Sequence, residues 1–450
     1  MRPAEFVRMV RAFIRTRYGL RFRNRASLEQ WQRRRLDAFV STTLTQAAFY
    51  REARVSELTS LPIVEKQTML EHFSGFNARG IELENALAAA RAAETGQPPP
   101  TGFDPSLTAG LSSGTQGRPG VFLASADERA TWAGILLART LDRDLLGCLV
   151  RRMAPLRVAL FLRANSALYT TLRSRFIDFR FFDLQSGAHT HAGALAKFDP
   201  DVLVAPASVL AWLASESLDG RLPLQPRKVI SVAEVLEPDD ERRIRAAYGK
   251  PVHQLYQCTE GFLAYTCEHG SLHLNEEFVH IEPEWLDETR TRFVPIITDF
   301  TRRTQMIVRY RLDDILRLRS EPCRCGRVTR ALAAIDGRVD DVLWLPSSST
   351  GRLMPLFPDA VRHAIARHAD CVVDYTLAQH NVTLHLAVEG EEAAFASVRQ
   401  AIDELIVMQG MTPPAWRRAT LEARANAAKR RRIVCVTRPS ASQFDKTHST

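Results

Sequence analysis

No uninterrupted apolar run in this 450-residue chain approaches the roughly eighteen residues that a membrane-spanning helix needs. The best candidate, Val202–Ala214, is too short and contains Pro206, so no transmembrane helix is expected. The N-terminus lacks the apolar centre of a signal peptide, and seven cysteines at scattered positions do not form a secreted disulfide framework. A reducing, cytoplasmic compartment is the expectation. Internal repeats, low-complexity tracts, a Walker phosphate loop, a Ser/His/Asp hydrolase signature and nucleic-acid-binding motifs are lacking as well.

What is present is ordinary in bulk, with 45% hydrophobic, 25% charged and 8% aromatic residues, which is the profile of a folded globular protein. The length exceeds what one compact core supports and implies two domains, or three. The net charge of +9 is localised: residues 1–35 hold eleven arginines against Glu5 and Glu29, which accounts for the whole excess. Phe6, Met9, Val10, Phe13 and Ile14 recur at helical spacing, so this segment reads as an amphipathic helix packed on a domain with a solvated arginine face. That reading is preferred to contact with an anionic membrane or nucleic acid.

Between residues 150 and 260, apolar β-rich runs at 157–162, 179–183, 202–205, 228–232 and 252–256 alternate with helical patterns. One of these, Pro238 to Tyr248, opens with proline and is followed by glycine. The alternation predicts an α/β fold with a mainly parallel sheet. After about residue 340 the texture changes: a turn or linker at Leu345–Gly351, a helix near 358–368, a hairpin across Gln379–Asn381 and a helix near 391–408. The expected organisation is a large domain over 1–340 and a small α+β domain over 341–450.

Four clusters carry chemistry. Ser112-Ser-Gly-Thr-Gln-Gly-Arg-Pro119 combines backbone freedom, hydroxyl donors and one positive charge, which suits a polyphosphate, although such runs are also plain loops. Tyr256-Gln-Cys-Thr-Glu-Gly261 follows a strand, where a carboxylate can hold a magnesium ion or merely cap the turn. Tyr310-Arg-Leu-Asp-Asp-Ile315 and Asp336-Gly-Arg-Val-Asp-Asp341 offer carboxylates for ribose hydroxyls, or surface ion pairs. A fourth cluster, Cys323-Arg-Cys-Gly326 with Cys267-Glu-His-Gly-Ser-Leu-His273, has the soft donors zinc selects, and by spacing alone reads as reduced free cysteines.

The order S-S-G-T-x-G-x-P, Ala233-Glu234, Y-x-x-T-E, Y-R-x-x-D-I and G-R-x-D-D resembles the adenylate-forming superfamily of acyl-CoA ligases. Within it the chain is most similar to the phenylacetate-CoA ligase-like branch, and there to proteins related to the synthetase that adenylylates a deazaflavin coenzyme. Lys66, Phe73-Ser-Gly-Phe-Asn77, Gly261-Phe-Leu-Ala264 and Leu272-His-Leu-Asn275 share that resemblance.

The resemblance implies ATP, magnesium and a carboxylic acid, an aryl acid by its branch, as ligands, with coenzyme A as the acceptor. Ser112, Ser113, Gly114, Thr115 and Gly117 would wrap the ATP phosphates, with Arg118 in place of a usual lysine. Ala233 and Glu234 would line the adenine, Tyr256 and Gln257 would close on the nucleotide, Thr259 would touch the α-phosphate and Glu260 the magnesium. Asp314 would take the ribose with Arg338 nearby, and Asp340 or Asp341 would be the hinge. In Ala428-Lys-Arg-Arg-Arg-Ile433, Lys429 matches the mobile catalytic lysine, although the family usually has glycine before it. Lys446 ranks below it, and Arg430 to Arg432 also read as a solvated strand edge.

Zinc ligands are implied at Cys267, His273, Cys323 and Cys325, with His269 the rival histidine; Cys148, Cys258, Cys371 and Cys435 read as buried small residues. Phe161, Tyr169 and Phe262 would line an apolar acid pocket, or belong to the core. AMP transfer to a hydroxyl and a non-catalytic nucleotide-binding protein remain alternative readings, and the oligomeric state, a homodimer included, stays open.

Overall fold

The computed structural model describes residues 2–51, 58–94, 96–111, 120–151, 154–162, 172–184, 187–368, 374–389, 392–421 and 431–439. The chain forms two compact units, Met1–Leu312 with Leu318–Ala334, and Asp313–Arg317 with Ile335–Thr450.

In the first unit, helix Pro3–Ile14 has proline at its start, where the missing N–H costs nothing. Phe6, Met9, Val10 and Phe13 pack into the core that helix Ala126–Thr140 shares. The two helices meet at Gly134, where a Cβ would stand 2.2 Å from the Met9 carbonyl oxygen, so only glycine allows the approach. Ile14, expected on the buried stripe, is 52% exposed. Eight residues on from Phe6 it lies about 80° round the helix, at the edge of the stripe. Arginines of this basic segment serve structural ends: Arg17 donates to the Ala138 carbonyl at 3.2 Å, and Arg25 forms paired bonds of 2.6 and 2.8 Å to buried Glu276.

Strands β1 (Leu107–Leu111) and β2 (Val121–Ser125) make an antiparallel hairpin. Strands β3 (Leu156–Leu162), β4 (Ile177–Asp183), β5 (Val202–Ala205), β6 (Lys228–Val232) and β7 (Val252–Cys258) form a parallel sheet in the order β4-β3-β5-β6-β7. Each lies within two residues of its sequence-predicted start and end. Period-two alternation divides β3 between two cores: Leu160 faces the cluster with Leu136 and Leu145, and Ala159 and Phe161 face the cluster with Leu210 and Ile244. Helices on both faces explain why β5 is apolar at all four positions. Helix Pro238–Tyr248 ends at Gly249, whose φ of 60° is the left-handed cap predicted by that glycine.

Strands β8 (Gly261–Thr266) and β9 (Leu272–Leu274) extend the sheet antiparallel from β7. Strands β10 (Val279–Trp285) and β11 (Arg292–Asp299) pair antiparallel, and β12 (Tyr310–Arg311) adds to β11. The division between the units passes through β13 (Asp314–Leu318) and β14 (Ala331–Arg338), so Asp314 and Arg338 group with the second unit.

That second unit continues with the hairpin β15 (Leu343–Pro346) and β16 (Leu353–Leu356); the predicted turn occupies Ser347–Gly351, and Leu345 and Pro346 belong to the strand. Strands β17 (Asp374–His380) and β18 (Thr383–Glu389) turn at Asn381, which adopts φ 53°. With β19 (Ala415–Arg418) and β20 (Ile433–Thr437) they form a sheet ordered β19-β18-β17-β20, accompanied by helices Pro358–His368 and Glu392–Met408. Among the described residues no helix is long and apolar enough to cross a membrane.

Candidate active site

The glycine-rich stretch Ser112–Pro119, with Ser112, Ser113, Gly114, Thr115, Gly117 and Arg118, lies outside the described residues, as do Tyr169 and Lys429. The frame that holds the stretch is defined. Leu111 pairs with Val121, so the strands on either side of the stretch are held in antiparallel register. Beside it, buried Gln305 accepts the Leu123 N–H at 2.9 Å and donates to the Val121 carbonyl at 3.3 Å. This side chain takes the place of a neighbouring strand for β2.

Tyr256 and Gln257 are the last residues but one of β7, and Thr259 and Glu260 form the tip of its turn into β8. Because β7 runs parallel to β6, this tip lies at the carboxyl end of the parallel sheet, where open α/β sheets bind ligands. The Thr259 hydroxyl donates to Glu260 Oε2 at 2.8 Å, and Arg302 Nη2 donates to the Thr259 carbonyl at 2.6 Å. Arg302 also pairs at 3.6 Å with Asp299, whose carboxylate accepts the Thr301 N–H and hydroxyl at 2.9 and 2.6 Å. Burial pushes the Asp299 carboxyl above its usual range, and Arg302 partly offsets this.

Glu128 ties the same loop to β2. It closes a capping box with Ser125 and accepts the Arg303 and Thr304 N–H groups at 2.7 and 3.0 Å and the Thr304 hydroxyl. Burial pushes its carboxyl up, but these hydrogen bonds and those of Ser125 outweigh it and hold the group below its usual range. One segment, Asp299–Gln305, thus fixes both the β1–β2 pair that flanks the glycine-rich stretch and the Thr259–Glu260 tip. The Ser125-Ala-Asp-Glu128 box is legible in the sequence; Arg302 and Gln305 give no local signal, because their partners are distant in the chain.

Ala233 follows β6 with φ 63°, a conformation rare for a residue with a Cβ and characteristic of sites where the chain is held for use. Glu234 accepts the Ser208 N–H at 3.0 Å, at the positive end of helix Ala207–Leu218.

An apolar cavity of about 120 Å³ lies between the sheet and helix Ala126–Thr140, and reaches Ala233 and Gln257 at the carboxyl ends of β6 and β7. Leu136, Leu156, Leu160, Val204 and Val232 are among its walls. Phe161 and Phe262 do not line it: Phe161 stacks on Phe182 on the opposite face, and Phe262 is buried in the core.

The donor atoms of Cys267, just after β8, of His273 in β9, and of Cys323 and Cys325 on the loop before β14 all lie within 4.8 Å of one another. The Cys267 and Cys323 sulfurs are 3.6 Å apart, and Cys325 Sγ is 3.3 Å from His273 Nε2. Edges near 3.8 Å are what a tetrahedron with zinc–sulfur bonds of about 2.3 Å requires. His273 Nδ1 faces the Thr329 carbonyl and hydroxyl at 3.2 and 3.0 Å, which orients the ring and leaves Nε2 toward the thiols. Burial raises the Cys323 thiol, but hydrogen bonding from Ser271, the Cys325 backbone and His273 brings it down to about 6. Burial, with the neighbouring thiols, pushes Cys325 up to about 12. His269 is exposed and outside the group. Cys148, Cys258 and Cys435 are half-buried rather than buried, and Cys371 lies outside the described residues.

In the second unit, Arg338 Nε stands 3.7 Å from Asp314 Oδ1, which brings the two predicted ribose-side residues together. Asp340 and Asp341 lie in the short helix Val339–Asp341. Asp341 accepts the Arg338 N–H at 3.2 Å and pairs with Arg431, whose Nε is 3.0 Å from Oδ1. Arg432 pairs with Asp374 at 3.1 Å and its guanidinium stacks over Tyr375 at 5.2 Å. Neither arginine is therefore part of a merely solvated strand edge.

No family model matches the chain, and no curated protein matches it by sequence. Solved structures do match. 2-Hydroxyisobutyryl-CoA ligase in the postadenylation state with R3-HIB-AMP aligns over 93% of this chain and 90% of its own, at 16% identity and TM-score 0.59. The same state with 2-HIB-AMP covers 99% and 90%, at 18% identity and TM-score 0.56. An open conformation with 2-HIB-AMP and CoA covers 89% and 90%, at 18% identity and TM-score 0.53. Over nearly its whole length, the chain has the fold of an AMP-forming acid–CoA ligase.

Proposed function

We propose that the protein activates a carboxylic acid with ATP, releasing pyrophosphate, and passes the acyl group from the acyl-adenylate to coenzyme A. The observation that carries this reading is the joint anchoring of the β1–β2 pair that flanks Ser112–Pro119 and of the Thr259–Glu260 tip by the Asp299–Gln305 segment, within a fold shared with a ligase that holds an acyl-adenylate. In this reading the stretch, through Ser112, Ser113, Gly114, Thr115, Gly117 and Arg118, grips the ATP phosphates. Ala233, Glu234, Tyr256 and Gln257 take the adenine side, and Asp314 with Arg338 takes the ribose.

Thr259 would contact the α-phosphate and Glu260, a hard oxygen donor at the turn tip, would hold magnesium, which neutralises phosphate charge. Carboxylate oxygen attacks the α-phosphorus in line as pyrophosphate leaves, so catalysis rests on positioning and charge neutralisation, with Lys429 supplying a cation. Rotation at Asp340 or Asp341 would then admit coenzyme A. The thiol–imidazole cluster fits a structural zinc, held by Cys267, His273, Cys323 and Cys325, that would join the β8–β9 segment to the loop before β14.

Mass spectrometry of products tests the reading. Acyl-CoA, AMP and pyrophosphate are expected. An adenylylated hydroxyl acceptor without acyl-CoA would replace it with AMP transfer.

A further inference from the structure

The cavity beneath the sheet carries information about the acid that the nucleotide site does not. Of the nineteen described residues that line it only Thr140 and Gln257 are polar, and none of the nineteen is charged. The Thr140 hydroxyl is committed to the Leu136 carbonyl of its own helix at 2.8 Å. That leaves Gln257, at the carboxyl end of β7 beside the proposed nucleotide site, as the polar group of the wall. A substrate hydroxyl or ammonium deeper in would lose its water without a partner, at a cost of about 1–3 kcal/mol or more.

Shape adds a second constraint. A cavity of about 150 Å³ accepts a benzene ring when it is compact. Here about 120 Å³ is distributed along walls that include both Leu156 and Leu162 of β3, a span of roughly 20 Å at about 3.3 Å per residue. The same walls reach across the sheet from Phe179 of β4 to Leu255 of β7, so the space is thinly spread with no compact, ring-sized hollow, and Phe179 is the one aromatic among the described wall residues.

We infer that the acid is an unbranched alkyl carboxylic acid, its carboxylate at the Ala233–Gln257 end and its chain directed along β3 toward Leu156, Ile177 and Val202. This rests on the acid-activating reading above and replaces the aryl acid suggested by the branch the sequence resembles.

The test is pyrophosphate exchange with magnesium-ATP across straight-chain acids of four to twelve carbons, benzoate, phenylacetate, 4-hydroxybenzoate and amino acids. Burial of each added methylene predicts a gain of about fourfold in kcat/KM until the chain fills the cavity, and then a fall. Leu156→Phe, which shortens the far end, is expected to move the optimum to shorter chains, and Ile177→Ala to longer ones. Highest kcat/KM for an aryl or amino acid, or an optimum unmoved in both variants, would overturn the inference.

If no acid supports exchange, the activating reading fails and binding decides the cavity separately. Calorimetric binding of decanoate that weakens at least tenfold in folded Leu156→Phe, with none of 4-hydroxybenzoate, supports the alkyl site. Absence of decanoate binding to the wild-type chain overturns it.

Discussion

Replacing Arg302 by methionine separates two effects that this side chain combines. Its hydrogen bond to the Thr259 carbonyl is charge-assisted at 2.6 Å, a class worth about 1.5–3 kcal/mol. Its ion pair with Asp299 joins side chains 14% and 7% exposed, and removal of one partner of such a pair costs about 3–5 kcal/mol. The pair is 3.6 Å apart rather than in close contact, so a total loss near 3 kcal/mol is the expectation.

With a urea m-value of about 3 kcal/mol/M for a large unit, the midpoint should fall by about 1 M. The sign with pH follows from Asp299. Its folded pKa is already raised by burial, and loss of Arg302 raises it further, so the variant's deficit should shrink as pH falls and grow as pH rises through that pKa. Adding Asp299→Asn should restore most of the stability by removing the unpaired charge. Pyrophosphate exchange should stay low in both variants, because neither holds the Thr259–Glu260 tip. A variant with wild-type urea midpoint and exchange rate would refute the reasoning.

Three further outcomes are expected. Glu128→Gln should lose about 1–3 kcal/mol at pH 7 and show a flatter acid limb in urea titrations between pH 7 and 3. The wild-type carboxylate, held below its usual range, stabilises above the unfolded value of about 4.3, and that contribution is lost as pH falls through the folded pKa. Metal analysis of the purified protein should find about one zinc per chain, and Cys323→Ser should remove most of it with a lower thermal midpoint. Arg431→Met should lower exchange about tenfold while leaving the first unit's unfolding unchanged, because it releases the strand entry two residues after Lys429 from Asp341.

Much of the sheet was legible because its signal is local. The apolar runs that became β3 to β7 and the Pro238–Gly249 punctuation depend on residues near each other in the chain. The thiol–imidazole cluster was legible through the family resemblance, since spacing alone read as free cysteines, and the choice of His273 over His269 became visible once β9 paired Leu272 with Leu332 and buried His273 beside Thr329. The supporting residues were not legible. Arg302 acts on a carbonyl 43 positions away, Gln305 on a strand more than 180 away, and Arg431 on a carboxylate 90 away. Of the two readings the sequence left open for Phe161 and Phe262, core is the one realised, and for Phe161 period-two alternation turns the ring to the opposite face of the sheet from Leu160.

Carboxylate-dependent exchange of labelled pyrophosphate into ATP is the direct measure of acid activation by the Ser112–Pro119 stretch and Glu260. Exchange should require both acid and magnesium and fall by at least a hundredfold in Thr115→Ala and Glu260→Gln, with both variants folded. Exchange at background across the whole acid panel, or unchanged in those two variants, would contradict it.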